Sequence, residues 1–405
     1  MRWIARGTFG AWAIAVVVCV AMPQAGTQRR APANRTTGCI GQFDPATDYF
    51  PDKAKLESAT TFSVRYERSY KVVSVNESYP GGPPERYALV QCGAPPPPLT
   101  GDLAGAQLVT VPIASLFVLS PTHLSLLADL DRIGVLAGVA RRNMVTDRDV
   151  VRKIDAGAVV EFAKGGALLD VERVVASKPS LVMSGGTSNA TFAVLRNAGI
   201  PVAADTEWLE PTALGRAEWL KFMALFLNEE RKAQERYGAM RDRYRALSAR
   251  AVALPEAEQP LVMTGRSTRG LFVIAGGRSY VASLIRDAGA RYAWADNTAV
   301  GTATVDLEAQ IQRAAGADIW INGGGWKNLA AMLDDEPRYR AFKAYRTGQV
   351  WVYERRETSS GGNDYWSRSA MRPDLVLADL VRIFHPRLNP DHELEWYMPV
   401  AAGGQ

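Results

Sequence analysis

A long helical pattern near the middle of the chain, over residues 205–250, most constrains what this sequence can fold into. Apolar residues recur there at steps of three and four, which places them on one buried stripe of a helix. The stripe comprises Trp219, Phe222, Phe226, Ala233, Tyr237, Met240, Tyr244 and Leu247. Pro211 is a suitable helix start and Pro255 a suitable stop.

We divide this stretch into two helices, because a single helix of about 40 residues would run roughly 60 Å, which is long for a compact lobe. Asn228, followed by Glu229 and Glu230, has the pattern of an N-cap with an acidic first turn. The sequence therefore predicts helices over about 211–227 and 229–250. The second, roughly 33 Å long, could join two domains.

The bulk properties of the chain are those of a globular protein. Its 405 residues predict two or three domains. The net charge is +5, and Lys and Arg are scattered along the chain. We therefore expect no nucleic-acid partner.

The N-terminal segment has the pattern of a secretory signal peptide. Arg2 and Arg6 precede an apolar run over residues 11–21, and small residues follow at Ala25 and Gly26. The run is short for a membrane span, although an uncleaved anchor stays open as the alternative. Removal of residues 1–25 would leave two cysteines, Cys39 and Cys92. In an exported protein this pair predicts one disulfide, with two unpaired thiols as the alternative.

The region after the signal predicts a small β appendage. Residues 26–38 are polar and predict a segment without fixed structure. Alternating patterns at 62–67, 70–75 and 87–90 predict antiparallel strands, and a proline-rich spacer follows at 94–98. A Cys39–Cys92 bond would tie the ends of this appendage together.

Two series of short apolar strands alternating with helices flank the central helical stretch. Such alternation predicts parallel sheets covered on both faces. The strands are expected at 116–120, 134–139, 179–183 and 200–204 in the first series, and at 260–264, 271–275, 318–322 and 350–353 in the second.

The segments that follow the predicted strands form the candidate site, because ligands of open α/β sheets collect beyond the carboxyl ends of strands. The sequence has no nucleophile elbow, phosphate loop or dinucleotide fingerprint. Instead, Arg and Trp recur at strand exits and predict a cleft for a bulky, partly aromatic, partly anionic ligand. The candidates are His123, Arg141, Trp208, Arg266, Trp294, Trp326 and Arg355. For His123, a helix-capping role is the alternative.

Several motifs between residues 110 and 390 resemble one known family. They include Leu-Ser-Pro-Thr-His-Leu at 119–124, Asp-Val-Glu-Arg-Val-Val-Ala-Ser-Lys-Pro at 170–179, Pro-Thr-Ala-Leu-Gly-Arg-Ala-Glu-Trp at 211–219, Asp-Ala-Gly at 287–289 and Arg-Pro-Asp-Leu-Val-Leu-Ala-Asp-Leu at 372–380. The chain resembles the periplasmic substrate-binding proteins of ABC importers for iron–siderophore complexes, haem and cobalamin.

The resemblance implies an α/β fold of two Rossmann-like lobes with mainly parallel sheets, joined by a long rigid helix, plus the small N-terminal antiparallel β appendage. We place the appendage and spacer at 26–108, the first lobe at 109–228, the connecting helix at 229–254 and the second lobe at 255–405. The resemblance further implies a monomeric, non-enzymatic periplasmic protein without an intrinsic cofactor. Its function would be to deliver an iron(III)–siderophore complex, or alternatively cobalamin or haem, to an ABC permease in the inner membrane.

The sequence departs from this family at the positions that meet the permease. The family commonly places a glutamate on the first helix of each lobe, where it pairs with permease arginines. The corresponding positions here fall at His123 or Ser125 and near Ser283, and none is acidic. Asp129, Asp131 or Asp287 could substitute.

Two other function classes stay open. An exported glycan-processing enzyme could use Glu207 and Asp364, provided that their carboxylates lie roughly 5–10 Å apart in one cleft. A carbohydrate-binding or envelope-structural protein could use the β appendage or the aromatic loop at 361–366.

Overall fold

A computed structural model describes residues 29–164 and 168–402, and the chain is a mixed α/β structure with two mainly parallel five-stranded sheets. The signal peptide predicted over residues 1–25 lies outside the described residues. Within the described ranges, no helix is long and apolar enough to cross a membrane.

An N-terminal sheet precedes the two lobes. The strands of this region are β1 (Arg29–Arg30), β2 (Thr47–Asp48), β3 (Phe62–Tyr66), β4 (Tyr70–Val75), β5 (Glu85–Gln91) and β6 (Gln107–Val111). The strands β3, β4 and β5 are antiparallel, as predicted, and β6 adds a parallel fourth strand to β5. A disulfide joins Cys39 to Cys92, whose Cα atoms lie 4.5 Å apart, which confirms the predicted bond.

The segment before this sheet is ordered where the structure describes it. Strand β1 pairs with β2, and Asn34 Nδ2 donates to Glu230 Oε2 at 2.7 Å. The carbonyl of Arg35 accepts from Asn228 Nδ2, also at 2.7 Å. The prediction of no fixed structure is therefore wrong for residues 29–38, because these polar residues satisfy buried groups of the central helices.

The first lobe is built on a parallel sheet in the order β13-β12-β7-β8-β9. Its strands are β7 (Leu116–Val118), β8 (Leu136–Val139), β9 (Val160–Glu161), the separate antiparallel pair β10 (Ala163–Lys164) and β11 (Leu168–Leu169), then β12 (Leu181–Ser184) and β13 (Val202–Ala204). Its helices are α1 (Thr122–Asp129), α2 (Arg148–Asp155), α3 (Val171–Ser177) and α4 (Thr191–Asn197).

Two consecutive helices, α5 (Ala213–Leu227) and α6 (Glu230–Val252), occupy the middle of the chain, as predicted. Asn228 does separate them, but it is the C-cap of α5 rather than the N-cap of α6. Its φ of 58° lies in the left-handed region, which asparagine tolerates better than most residues.

The second helix of this pair contributes to the cores on both sides. Ala233 packs in the core shared by the N-terminal sheet and the first lobe, whereas Tyr244 and Ala251 pack in the core of the second lobe. We therefore propose that α6 is the element that joins the lobes.

The second lobe has a sheet in the order β17-β14-β19-β20-β21, parallel except for β21. Strand 271–275 does not join this sheet but forms an antiparallel sheet with its neighbours, which corrects the expectation of a parallel strand there. The strands are β14 (Leu261–Thr264), β15 (Arg266–Thr268), β16 (Leu271–Ala275), β17 (Arg291–Tyr292), β18 (Thr302–Val305), β19 (Ile319–Ile321), β20 (Val350–Val352) and β21 (Met398–Pro399). The helices are α7 (Tyr280–Asp287), α8 (Leu307–Ala314), α9 (Leu329–Asp335), α10 (Lys343–Arg346), α11 (Asp364–Arg368) and α12 (Pro373–Phe384).

Candidate functional site

A cavity of about 710 Å³ lies between the two lobes, where the carboxyl ends of their strands face each other. From the first lobe, residues after β7, β12 and β13 line it, including Ser120, Gly185 and Trp208. From the second lobe, residues after β14, β19 and β20 do so, including Arg266 and Tyr353. The cavity therefore lies where open α/β sheets place their ligands.

Glycine is required at one of these strand exits. Gly265 has a φ of +88°, and a Cβ there would lie 1.8 Å from the carbonyl oxygen of Val273. The chain can therefore turn from β14 into β15 only with glycine at this position. This turn places Arg266, the next residue, at the cavity.

Aromatic side chains form one wall of the cavity. Tyr353 and Tyr365 stack with ring centroids 4.6 Å apart, and Trp366 meets Tyr353 edge-on at 5.2 Å. Tyr280 and Trp208 also line the cavity. Burial raises the pKa of the Tyr365 hydroxyl, so this group stays neutral over the physiological range. The wall is thus large, rigid and uncharged.

The described lining includes three charged side chains, Glu207, Arg216 and Arg266. Arg216 Nη2 donates to Glu207 Oε1 at 3.0 Å, and its guanidinium lies 4.3 Å from the centre of the Tyr280 ring. These two charges therefore largely neutralise each other. Arg266 donates to the carbonyl of Gly324 at 3.2 Å and has no carboxylate partner among the described residues. Arg266 is the cation that remains available to an anionic ligand.

A buried His–Asp pair lies behind this site. His123 Nε2 lies 3.5 Å from Asp205 Oδ2, and His123 is only 1% exposed. Burial lowers the pKa of His123 to about 3. Burial, together with the nearby Glu207 carboxylate, raises the pKa of Asp205 well above its usual value. His123 is therefore neutral at pH 7, and it does not belong to the cavity lining.

Of the seven residues predicted from the sequence, Trp208 and Arg266 line the cavity and the other five do not. Arg141 lines a much smaller cavity of about 10 Å³ in the first lobe. Arg355 is exposed beyond β20. Trp294 donates to Gln310 at 2.6 Å, and Trp326 is 7% exposed and donates to Asp335 at 3.1 Å. Both tryptophans pack in the core of the second lobe.

Sequence reasoning missed several residues of the lining. Tyr353 immediately follows β20, so the strand-exit rule could have found it. Tyr365 and Trp366 lie in α11, which corrects the expectation of an aromatic loop over 361–366; we interpreted that segment only as a possible carbohydrate platform. Arg216 and Tyr280 lie in helices, where no sequence pattern distinguishes a cavity-facing side chain from a solvated one.

The positions corresponding to the family's docking glutamates are buried. Ser125 Oγ donates to the carbonyl of Ser367 at 2.6 Å, and Ser283 Oγ accepts from the backbone N–H of Ala213 at 3.2 Å. Ser125 and Ser283 are 8% and 2% exposed. Neither side chain is therefore accessible to a docked permease.

The acidic residues considered as substitutes differ in exposure. The carboxylate of Asp131 is 64% exposed, and it lies 3.4 Å from Lys232 Nζ and 3.7 Å from Arg236 Nη2. Asp287 accepts from the Tyr244 hydroxyl at 2.7 Å. Burial raises the pKa of Asp129. Asp131 is thus the most accessible of these carboxylates.

Within the described ranges, no group of three or more His, Cys, Asp or Glu residues could hold a metal ion.

Glu207 and Asp364, considered for glycan processing, do not both face the cavity, because Asp364 is absent from its lining. Asp364 instead accepts from the Trp396 indole at 3.0 Å.

The chain is similar in sequence to proteins from an archaeon. A lipoprotein of uncharacterised function from Methanocaldococcus jannaschii is 24% identical over 289 residues, which cover 69% of this chain and 67% of the relative. A second such lipoprotein of that organism is 25% identical over 255 residues, covering 61% and 63%. The chain thus spans about two thirds of the length of these relatives.

Solved structures share the fold. A possible iron-binding (periplasmic solute-binding) protein from Staphylococcus epidermidis aligns with a TM-score of 0.52 at 17% identity, covering 67% of this chain and 99% of its own. A periplasmic heme binding protein from Pseudomonas aeruginosa aligns with a TM-score of 0.52 at 18% identity, covering 68% and 94%.

The family model described as periplasmic binding protein matches residues 118–356, which is more than half of the chain. The matched region contains most of the first lobe, both central helices and the strands of the second lobe up to β20. The resemblance inferred from the sequence is confirmed: the chain belongs to the periplasmic binding protein family.

Proposed function

We propose that this protein is an exported solute-binding protein that captures a bulky metal chelate, an iron(III)–siderophore complex, and delivers it to an ABC importer. The inter-lobe cavity of about 710 Å³ carries the proposal. Its size suits a ligand much larger than a single sugar or amino acid. Its aromatic wall suits apolar and conjugated ligand surfaces, and Arg266 suits an anionic oxygen of the chelate.

In this proposal the metal is part of the cargo. Among the described residues no cluster could hold a bare metal ion, so the chelator would supply the ligands of the iron. The protein then recognises the outer surface of the complex through Trp208, Arg266 and the tyrosine wall.

Haem binding in the same transport role is the second candidate. The stacked pair of Tyr353 and Tyr365, with Trp366 edge-on to it, favours a flat aromatic ligand. Arg266 could then pair with a carboxylate of that ligand. Glycan processing has less support, because Glu207 is paired with Arg216 and Asp364 lies outside the lining.

Tryptophan fluorescence tests the proposal directly. The mature protein is titrated with ferric siderophores, haemin and cobalamin, and quenching that saturates at micromolar concentration is expected for one class. Trp208→Leu should weaken that affinity about tenfold or more, since Trp208 lines the cavity. Trp294→Leu is the matched control, because Trp294 lies outside the lining, and its affinity should be unchanged. Failure of all three classes to bind would overturn the proposed function.

A further inference from the structure

A second cavity of about 610 Å³ adjoins the first. Three separate parts of the chain line it: Asn76 and Glu77 in the connection between β4 and β5 of the N-terminal sheet, Thr206 and Trp208 after β13, and Val300 of the second lobe. Asn76 and Glu77 lie outside the family match at 118–356, and they do not follow a strand of either lobe. The N-terminal sheet therefore supplies one wall of a cavity beside the proposed ligand site.

The two cavities share Trp208, Gly301 and Thr302 as lining residues. The Trp208 indole donates to the carbonyl of Gly185 at 3.2 Å, which holds the ring against the first lobe. From the other side, a Cβ on Gly301 would lie 3.5 Å from the ring. Trp208 therefore stands between the cavities, and a ligand that lies against it in one cavity is within reach of the other.

The wall from the N-terminal sheet is held firmly in place. Glu210 is fully buried, and its carboxylate accepts the backbone N–H groups of Thr60 and Thr61, each at 3.0 Å. Asn76 Nδ2 donates to the carbonyl of Thr60 at 3.1 Å. Hydrogen bonds therefore attach this wall to the first lobe.

The chemistry of the second cavity differs from that of the first. Glu77 is the one charged residue in its described lining, and it is exposed. The Thr206 hydroxyl oxygen is buried and has no hydrogen-bond partner among the described residues. Leu209 and Val300 add apolar surface. A carboxylate beside apolar contacts favours a flexible, positively charged group over an anionic one.

We infer that the second cavity extends the ligand site and takes a flexible arm of the chelate that ends in an ammonium group, recognised by Glu77. The inference rests on the proposed function, since it assigns a subsite to the same ligand. It gives the N-terminal sheet a role in selecting among chelates: the first cavity takes the metal-bearing body, and the second takes the arm.

The matched probes are ferrioxamine B and its N-acetylated form. The free arm of ferrioxamine B ends in an ammonium group, and the acetylated form lacks that charge. Glu77→Gln should weaken ferrioxamine B binding about fivefold and leave the acetylated form unchanged. Val300→Trp, which fills the cavity, should weaken both about tenfold or more. Glu235→Gln and Val194→Trp, at exposed positions away from both cavities, are the matched controls.

Wild-type affinity for both probes in Glu77→Gln and Val300→Trp would overturn the inference. Binding of another ferric siderophore but of neither ferrioxamine would also overturn it, while the proposed function would stand. If the wild-type protein bound none of these chelates, the proposed function itself would fall, and the inference with it.

Discussion

His123 and Asp205 illustrate how burial at a single position sets the charge behind the ligand site. Both side chains are essentially excluded from water. Desolvation penalises the charged form of each, so it lowers the pKa of His123 to about 3 and raises that of Asp205. An ionised pair at 3.5 Å would need further hydrogen bonds to offset that cost. His123 Nδ1 has none among the described residues. His123 therefore adds no positive charge behind the Trp208 side of the cavity at neutral pH.

Stability should fall in mild acid because of His123. Its folded pKa of about 3 lies below the unfolded value of 6.5, so below pH 6.5 the unfolded chain binds a proton that the folded chain does not. The stability due to neutral His123 is complete above pH 6.5 and is lost as the pH falls toward 3. Between pH 7 and pH 5 this loss should be about 2 kcal/mol.

Urea denaturation at the two pH values measures this loss. His123→Leu should show a smaller loss, by about the same 2 kcal/mol, whatever its stability at pH 7. An identical pH dependence in wild type and variant would show that His123 is not the titrating group.

Glu218 of α5 holds the segment just before β3 through one buried carboxylate. It accepts the backbone N–H groups of Glu57, Ser58 and Ala59 at 2.6–3.0 Å. Lys221 Nζ lies 2.6 Å away, and both charged side chains are fully buried. A carboxylate with this many donors satisfies its hydrogen bonds without water.

Glu218→Gln should therefore be strongly destabilising. The amide keeps the shape but removes the charge that compensates Lys221, and it presents a donor to backbone N–H groups. A loss of roughly 3–5 kcal/mol in the free energy of unfolding is expected. Denaturant unfolding measures it. Glu235→Gln, an exposed residue of α6, is the control and should change stability by less than about 0.5 kcal/mol. Equal stability of the two variants would contradict the structural role of Glu218.

At the scale of elements, the junction of α5 and α6 depends on Asn228. Its left-handed backbone ends α5, and its side chain bridges to the N-terminal region. Asn228 Oδ1 accepts from the buried Lys71 Nζ at 2.7 Å, and its Nδ2 donates to Gln91 Oε1 at 3.1 Å. One residue thus combines a backbone requirement with a buried polar network.

Two substitutions separate these contributions. Asn228→Gly loses the side-chain hydrogen bonds but tolerates a φ of 58°, whereas Asn228→Ala loses the bonds and also strains the backbone. The glycine variant should be more stable than the alanine variant by about 1 kcal/mol, although both fall below wild type. Thermal or urea unfolding of the pair tests this, and an alanine variant of equal or higher stability would contradict it.

The elements of both lobes could largely be predicted from the sequence, because short apolar strands and amphipathic helices carry strong local patterns. The break at 228 was predicted, but the predicted N-cap role of Asn228 was wrong, since an asparagine can cap either end of a helix and here it ends α5. The candidate site was harder. Trp208 and Trp326 both follow strands, yet only Trp208 lines the cavity, while Trp326 packs against Trp320 with ring centroids 5.4 Å apart. Local sequence does not determine which side of a layer a tryptophan faces.

At the scale of the whole molecule, the N-terminal sheet and the first lobe form one packed unit. Val73 and Leu89 of that sheet lie in the same core as Leu116 of β7 and Phe222 of α5. The buried Lys71–Glu230 pair, 2.6 Å apart, attaches the sheet to the start of α6 as well. The appendage predicted as an addition is therefore integral to the core.

Since α6 packs in the cores on both sides, the lobes should move little relative to each other on ligand binding. In a protein without residues 1–25, and so without Cys19, cysteines introduced by Arg148→Cys and Lys327→Cys at exposed positions of the two lobes accept spin labels, because Cys39 and Cys92 are joined in a disulfide. The distance between the two labels is measured by double electron–electron resonance with and without a bound chelate. It should change by less than about 2 Å. A label pair within the first lobe, Arg148→Cys with Val194→Cys, controls for label rearrangement. A change several times larger than in this control would mean that the joint between the lobes hinges, and α6 would not be a rigid connector.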